Sequence, residues 1–372
     1  MRVVICGGGT AGHVTPGIAL ADFIKDKDKS AEIIFFGREG GEENELTKKS
    51  GYECITLDVT GFKRTLTPKN LSTAFKLLIA YKRARKFLKN FRPDVVIGTG
   101  GYVTWPIIKA AEHLRIPSVI HESNAYPGLT TRMLAKGCDK IFLNFAECKK
   151  HLKRQDNAIV VGNPIRAEFS ACTREAARKR LKINPWEIFV LSFGGSGGAK
   201  IMNESILQLM RTYSKENPGI RHIHATGRKY FQEVKADFPD LVSESDGCVA
   251  VPFIEDMPTY MLASDIIISR AGAMTLSETA KAGAASIIIP SPNVTDNHQF
   301  KNAMAYANSG AATVIEEKEL TQNKLKNALD KLVKDKKMRE SFRRSAHSLY
   351  VPNSAEKIYR EIKILIDKRR KN

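Results

Sequence analysis

Short apolar runs rich in β-branched residues recur along the chain. Between them lie longer stretches in which apolar residues return every three or four positions. The runs Val3–Cys6, Ile33–Phe36, Val95–Ile97, Ser118–Ile120, Ile141–Leu143, Ile159–Val161, Ile188–Phe193, Ile266–Ile268, Ser286–Ile289 and Thr313–Ile315 are too short for helices and are bounded by Gly, Pro or Asp, so they predict strands. The stretches Gly17–Lys25, Leu71–Lys89, Ile201–Ser214, Thr275–Ala282 and Asn302–Asn308 predict helices. Strands alternating with helices imply parallel sheets covered on both faces, an α/β fold. The pattern also restarts. A strand running into a glycine-rich turn opens the chain at Val3–Gly12 and recurs at Ile188–Gly198, and Gly162-Asn163-Pro164-Ile165-Arg166 between them has linker character. The expectation is two doubly wound parallel-sheet domains, 1–163 and 164–349, followed by a C-terminal segment, 350–372. Ligands in such pairs are expected in the cleft between domains, outside the carboxyl ends of the strands.

Composition narrows the partners. The 372 residues are 42% hydrophobic and 8% aromatic, enough for a core in each half. Lys and Arg number 59 against 40 Asp and Glu, a net charge of +19, which points to nucleic acid, an anionic membrane or a phosphorylated substrate. No aromatic-rich nucleic-acid-binding face or motif accompanies the charge, so no nucleic-acid partner is expected. The six cysteines are scattered without a C-x-x-C pair or a Cys/His cluster, so they read as reduced thiols and no metal site is expected. The opening Met1-Arg2-Val3-Val4-Ile5-Cys6 leaves no room for a signal peptide, and no apolar run approaches the ~20 residues that span a bilayer. Membrane contact is therefore expected to be peripheral.

Two loops carry candidate phosphate chemistry. Gly7-Gly8-Gly9-Thr10-Ala11-Gly12-His13 follows a strand and opens a helix, whose free N–H groups favour an anion. It also fits the dinucleotide fingerprint through Gly7, Gly9 and Gly12. The second predicted strand ends in Gly37-Arg38 rather than an acid, which leaves an NADP-dependent oxidoreductase open as an alternative. Gly194-Gly195-Ser196-Gly197-Gly198-Ala199-Lys200 repeats the design without the Walker A spacing, and Ser196 is able to donate to a phosphate. Two such loops, each opening a domain, favour a ligand with a diphosphate. A third cluster, Gly98-Thr99-Gly100-Gly101-Tyr102, sits at a strand's carboxyl end and is either structural or part of the site.

Seven segments occur in the order found in one family: Gly8-Gly9-Thr10-Ala11-Gly12-His13, Gly100-Gly101-Tyr102-Val103, His121-Glu122-Ser123-Asn124, Gly162-Asn163-Pro164-Ile165-Arg166, Gly195-Ser196-Gly197-Gly198-Ala199, Ala273–Glu278 and Asn297-His298-Gln299. Over nearly its whole length the chain resembles the MurG family. Those transferases add N-acetylglucosamine to undecaprenyl-pyrophosphoryl-N-acetylmuramyl-pentapeptide in peptidoglycan synthesis. The resemblance implies an inverting glycosyltransferase of the GT-B type, with two Rossmann-like domains and no cofactor. It implies UDP-N-acetylglucosamine held mainly on the second domain, the lipid-linked acceptor on the first, and a last helix crossing back to the first. Matched motif by motif, the implied donor contacts are Thr10, Ala11, Gly12, Asn124, Arg166, Ser196, Ile254, Ala273, Met274, Thr275, Leu276, Ser277, Glu278 and Gln299. Ala11 and Ser123 depart from the family's usual Gly and Gln, and Gly197 stands where Gln is common.

Inverting transfer needs a base for the acceptor hydroxyl and a cradle for the charge growing on the leaving UDP. His13, expected in the first turn of a helix, where the positive end of the dipole favours neutral imidazole, is the first candidate base; alternatively it caps the helix or binds an anion. Glu122, at the end of a predicted strand, is the second: it acts as base, orients His13, binds acceptor hydroxyls or caps its own loop. The leaving charge would fall to Ser196, the amides after Gly197 and Gly198, and Arg166, whose guanidinium binds two oxygens at once. Glu278 has the chemistry to accept from ribose hydroxyls, or else is an exposed helix acid paired with Lys281.

From Phe62 to Arg92 there are ten Lys and Arg and no acid, interleaved with Leu71, Phe75, Leu78, Ile79, Phe87 and Leu88. This is a basic amphipathic helix suited to an anionic membrane surface; together with the lipid-linked acceptor that the resemblance implies, the expectation is an enzyme held peripherally on the cytoplasmic face of the cell membrane. The same stripe could also pack on the sheet. A UDP-N-acetylglucosamine 2-epimerase remains a further alternative on a shared architecture, but it has no use for such a helix.

Overall fold

The computed structural model describes residues 1–61, 68–243 and 247–371. It divides into two compact units, Met1–Ile165 with Val351–Asn372, and Arg166–Tyr350.

The first unit runs β1 (Arg2–Gly7), α1 (Ala11–Lys27), β2 (Glu32–Arg38), α2 (Glu42–Lys49), β3 (Glu53–Leu57), α3 (Pro68–Phe91), β4 (Val95–Gly100), α4 (Thr104–His113), β5 (Ser118–Glu122), α5 (Leu129–Leu134), β6 (Lys140–Leu143) and β7 (Ala158–Val160). Its strands form one parallel sheet in the order β3-β2-β1-β4-β5-β6-β7. In β1, Val3 and Ile5 face one layer of the core while Val4 and Cys6 face the other. Burial on both faces explains why these strands read as unbroken apolar runs.

The second unit runs α6 (Glu168–Ala171), α7 (Arg174–Arg180), β8 (Ile188–Phe193), α8 (Lys200–Leu209), β9 (Ile220–Ala225), α9 (Phe231–Asp237), β10 (Cys248–Val251), α10 (Met257–Ala263), β11 (Ile266–Ser269), α11 (Ala273–Ala282), β12 (Ala285–Ile288), α12 (His298–Asn308), β13 (Ala312–Val314), α13 (Gln322–Lys334) and α14 (Lys336–Ser348). The sheet order β10-β9-β8-β11-β12-β13 repeats that of the first unit, again all parallel. Both are doubly wound Rossmann-like sheets, with the crossover reversal beside β1 and β8. Each glycine loop leaves the carboxyl end of one of those two strands.

The last helix, α15 (Ser354–Lys371), lies on the first unit. Ile358, Ile362 and Ile366, four residues apart, are buried with Val3, Ile5, Leu20 and Val95. Ion pairs Lys140–Glu361, Arg369–Asp139 and Arg370–Asp94 fix its register. Burying one isoleucine contributes about 1.5–3 kcal/mol, so the three outweigh the exposed ion pairs.

Three strands escaped the apolar pattern. β3 and β10 are the outer strands of their sheets and are only partly buried. β9 contains Arg221, His222 and His224, which break the run, yet both histidines are fully buried. The helix expected over Leu71–Lys89 is α3, with Pro68 at its start. Ala80, Ala84 and Leu88 face the sheet, whereas Leu71, Phe75, Leu78 and Ile79 are exposed. Phe62, Lys63 and Arg64, also read as part of that basic segment, lie outside the described residues.

Candidate active site

In the first unit β1 delivers its glycine loop to the start of α1, and His13 stands in the first turn. Its Nδ1 lies 3.0 Å from the Gly8 carbonyl oxygen and 3.4 Å from Thr10 Oγ1. A carbonyl only accepts, so Nδ1 carries a proton, and in the neutral ring this tautomer leaves the lone pair on Nε2. Gly100 and Gly101, both at positive φ, bring the β4–α4 turn against this ring and loop. A Cβ on Gly100 would fall 2.6 Å from His13 Cδ2, and one on Gly101 would fall 2.0 Å from the Gly8 oxygen. The third glycine cluster thus makes room for the histidine. Thr10 and Gly12 are exposed at the mouth of the loop, and Ala11 is the first residue of α1.

Glu122 is occupied elsewhere. It is 5% exposed, and its Oε1 accepts from the backbone N–H and Nδ2 of Asn124 at 3.1 and 3.0 Å. Oε2 accepts from the Gly128 N–H at 3.0 Å and the Thr131 hydroxyl at 2.6 Å. Four hydrogen bonds saturate a carboxylate. In this arrangement the side chain organises the β5–α5 loop and holds Asn124, the loop-capping role among those expected of it, while His13 Nδ1 meets Gly8 and Thr10. His121 is fully enclosed, with Nε2 at 3.0 Å from the Gly162 oxygen, and burial pushes its pKa down.

In the second unit β8 leads into Gly194–Ala199 and then α8. Ser196 and Gly197 are exposed, and nothing approaches within 4 Å of a Cβ built on Gly195 or Gly197. Gly198, at φ +71°, presses on the next loop, where a Cβ would lie 2.2 Å from the Thr226 oxygen. The floor of this loop is a buried polar chain. Ser214 Oγ meets His222 Nδ1, His222 Nε2 meets Ser192 Oγ, and Ser192 Oγ meets His224 Nδ1, each at 2.9 Å. His224 Nε2 then lies 3.1 Å from Asn203 Oδ1, and Asn203 Nδ2 donates to the Thr226 oxygen at 2.8 Å. Burial pushes His222 down to about 3 and His224 down to about 4, so both are neutral near pH 7. Ile254 is buried at the end of β10, next to Phe253, over which the Arg228 guanidinium stacks at 4.8 Å.

Arg166 and Glu278 meet each other. Arg166 Nε and Nη2 reach Glu278 Oε1 at 3.1 and 3.0 Å, and the guanidinium lies over Phe169. Burial raises the Glu278 carboxyl above its ordinary range, and Arg166 opposes that rise. Glu278 is therefore a buried helix acid, not an exposed one paired with Lys281. Ala273, Met274, Thr275 and Ser277 share the first turns of α11 with it. Leu276 is wholly enclosed, its N–H bonds to the Gly272 oxygen, and its carbonyl accepts from the Tyr306 hydroxyl. Gln299, early in α12, accepts through Oε1 from the Ala271 and Ser291 N–H groups at 3.2 and 2.9 Å, which turns its NH2 outward. Beside it a depression of about 350 Å³ opens between Ile201, Phe300, Pro290, Pro292 and Asn297. Among the described residues no group of three or more His, Cys, Asp and Glu is placed to hold a metal ion.

Residues 3–143 match the glycosyltransferase family 28 N-terminal domain, and residues 188–358 match its C-terminal domain. A protein of Acetivibrio thermocellus is 39% identical over 363 residues, covering 98% of each chain; it is named UDP-N-acetylglucosamine--N-acetylmuramyl-(pentapeptide) pyrophosphoryl-undecaprenol N-acetylglucosamine transferase. The chain belongs to glycosyltransferase family 28. Its fold follows the crystal structure of Acinetobacter baumannii MurG with a TM-score of 0.76 and 27% identity, over 97% of this chain and 99% of that one. A Neisseria meningitidis UDP-GlcNAc 2-epimerase bound to UDP-GlcNAc gives a TM-score of 0.66 at 15% identity, over 98% of this chain and 100% of that one, a likeness of fold alone. Membership of family 28 replaces the oxidoreductase alternative, and the first loop supplies a physical reason. A buried carboxylate, Glu43, accepts from the Gly9 and Arg38 N–H groups, where a dinucleotide phosphate would need donors.

Glu43 and the β9 histidines were missed in the sequence. The signal for Glu43 was present: Gly37, Gly40 and Gly41 gather just before it, where the dinucleotide pattern would have placed the acid on the strand itself. The histidines had no signal beyond their i, i+2 spacing, which puts both on one face of a strand.

Proposed function

We propose that this glycosyltransferase moves N-acetylglucosamine from UDP-N-acetylglucosamine to the C4 hydroxyl of undecaprenyl-linked N-acetylmuramyl-pentapeptide, a step of peptidoglycan synthesis. The observation that carries the reading is the full-length likeness to a relative named for that transfer. In the first unit, His13 is the base. Its neutral tautomer, fixed by Gly8, offers Nε2 to the acceptor hydroxyl proton. As that proton moves to Nε2, the hydroxyl oxygen bonds to C1 of the sugar, the C1–O bond to the diphosphate breaks, and UDP leaves with inversion at C1.

The second unit holds the donor. Ser196 and the open amides around Gly197 would take the diphosphate, Ile254 the base, and Gln299 NH2 a sugar hydroxyl. Glu278 Oε2 would accept from the ribose while Arg166 steadies Oε1. The neutral floor of His222 and His224 suits a diphosphate lying above it.

The acceptor lipid calls for a membrane surface. Residues 1–165 with 351–372 hold 33 Lys and Arg against 19 Asp and Glu, a net +14, whereas residues 166–350 hold 26 against 21, a net +5. The exposed Leu71, Phe75, Leu78 and Ile79 of α3 share that helix with Lys76, Lys82, Arg83, Arg85, Lys86 and Lys89. No described helix is long and apolar enough to cross a membrane. We place the enzyme on the cytoplasmic face, held through α3. The deciding experiment measures UDP release from UDP-N-acetylglucosamine with and without lipid-linked muramyl-pentapeptide. Release only with acceptor is expected. Epimerised sugar without transfer would overturn the reading.

A further inference from the structure

Glu43 is 1% exposed, and three separate segments of the first unit close around it. Its Oε1 accepts from the Arg38 N–H at 2.7 Å and its Oε2 from the Gly9 N–H at 3.4 Å. Side chains are excluded on three approaches. A Cβ on Gly8 would fall 2.2 Å from Oε1, one on Gly37 2.6 Å from Cγ, and one on Gly41 2.3 Å from the carboxylate. Three glycines from the β1–α1 loop, the end of β2 and the turn before α2 therefore make a cradle the size of one carboxylate. Arg38 contributes only its backbone, and its side chain is exposed. A buried carboxylate held by two backbone amides is expensive to maintain unless it fixes something.

What it fixes adjoins the base. Gly9 is bonded to Glu43, and Gly8 packs on its carboxylate. The carbonyl of the same Gly8 accepts the Nδ1 proton of His13, and its N–H donates to the Gly100 oxygen at 3.2 Å. Gly8 is thus clamped between Glu43 on one side and the Gly100 turn on the other. The direction of its carbonyl sets both the tautomer and the tilt of the imidazole.

We propose that Glu43 is a positioning residue for the transfer reaction, acting on His13 through Gly8 and Gly9. The proposal rests on His13 being the base. Glu43→Gln keeps the shape, but one of its two polar atoms becomes a donor facing an N–H, so one of the two amides loses its acceptor. The weaker Gly9 contact is the one that gives way, and the loop carrying the Gly8 carbonyl shifts.

The test uses the full chain and the UDP-release assay with lipid-linked acceptor. Glu43→Gln is expected to lower kcat about tenfold to a hundredfold, the scale of a misplaced reacting group. The KM for UDP-N-acetylglucosamine should stay within about twofold, because Ser196, Ile254, Glu278 and Gln299, which we propose hold the donor, lie in the other unit. Glu43→Asp, which keeps charge and both acceptor oxygens, should recover part of the loss. In a His13→Ala background, Glu43→Gln should add no more than about a twofold further loss, since the two substitutions remove one shared function. A wild-type kcat in Glu43→Gln, or a loss that multiplies in full onto His13→Ala, overturns the proposal. If Glu43→Gln does not fold, Glu43→Asp decides: reduced kcat at unchanged donor KM supports it, and wild-type kcat overturns it. Wild-type turnover in His13→Ala removes the base assignment, and this inference with it. A crippled His13→Ala beside an unaffected Glu43→Gln removes this inference alone.

Discussion

Behind the glycine loop after β1 sits a carboxylate; behind the loop after β8 runs a chain of neutral imidazoles, hydroxyls and an amide. The two loops share strand, glycines and helix start. In the first, the Gly9 N–H is already taken by Glu43, whose acceptor oxygens lie under the backbone. In the second, Gly195 and Gly197 face open space over a floor whose histidines burial keeps uncharged. The first arrangement therefore leaves an anion fewer open N–H donors than the second. Loops of one design are thus committed to different work by groups that lie far away in the sequence.

The largest expected effect tests the first loop. His13→Ala should lower kcat for UDP release by about 10²–10⁴-fold, the usual worth of a general base, with donor KM nearly unchanged. A comparable rise in donor KM would move the diphosphate to the first loop and reverse the contrast. Next comes the surface difference between the units. Phe75→Glu, at an exposed position, should weaken binding to anionic vesicles about tenfold or more while leaving the thermal midpoint unchanged. Vesicle flotation against salt concentration reads this out.

The second unit gives smaller effects. Arg166→Ala leaves the Glu278 carboxylate buried without its cation and should cost about 1–3 kcal/mol in urea unfolding. Burial raises the folded pKa of Glu278 above 4.5, so its proton stays on in the folded chain after the unfolded chain has lost it. Its stabilising share is present below pH 4.5 and is lost as pH rises through the raised value. The stability of Glu278→Gln relative to wild type should therefore climb with pH across that window. The neutral floor has the opposite sign. Below pH 6.5 the unfolded chain takes up protons that His222 and His224 refuse until about pH 3 and 4. Stability of residues 166–350 should fall by up to about 1.4 kcal/mol per pH unit for each histidine. The slope should flatten in a His222→Gln/His224→Gln variant. Smallest is Gly197→Ala, in open space without positive φ, which should raise donor KM severalfold and leave the thermal midpoint alone.

The sequence disclosed the central strands because burial on both faces makes them continuous apolar runs, as in Val3–Cys6 and Ile188–Phe193. It hid β9, where satisfied polar side chains occupy core positions. Pattern reading treats a histidine as a surface residue, and only the partners Ser192, Ser214 and Asn203 make it an interior one. The same limit applies at the site. His13 was legible because its position follows from one local motif. The Arg166–Glu278 pair spans 112 residues, and the saturation of Glu122 depends on how one loop curls back, so neither appears in any local spacing. Glu43 was passed over because an acid after glycines reads as solvated turn.

The return of α15 to the first unit bears on how the protein is made. Residues 166–350 are one unbroken stretch, able to finish folding as they emerge. The first unit is not. Until Ile358, Ile362 and Ile366 arrive, the sheet face of Val3, Ile5 and Val95 is covered only in part, by Leu20, Ala21 and Ile24 of α1. At usual synthesis rates the intervening stretch takes roughly 10–40 s to emerge. For that time part of the apolar face of the strand bearing the His13 loop stays uncovered. Ile358, Ile362 and Ile366 are the residues that seal it.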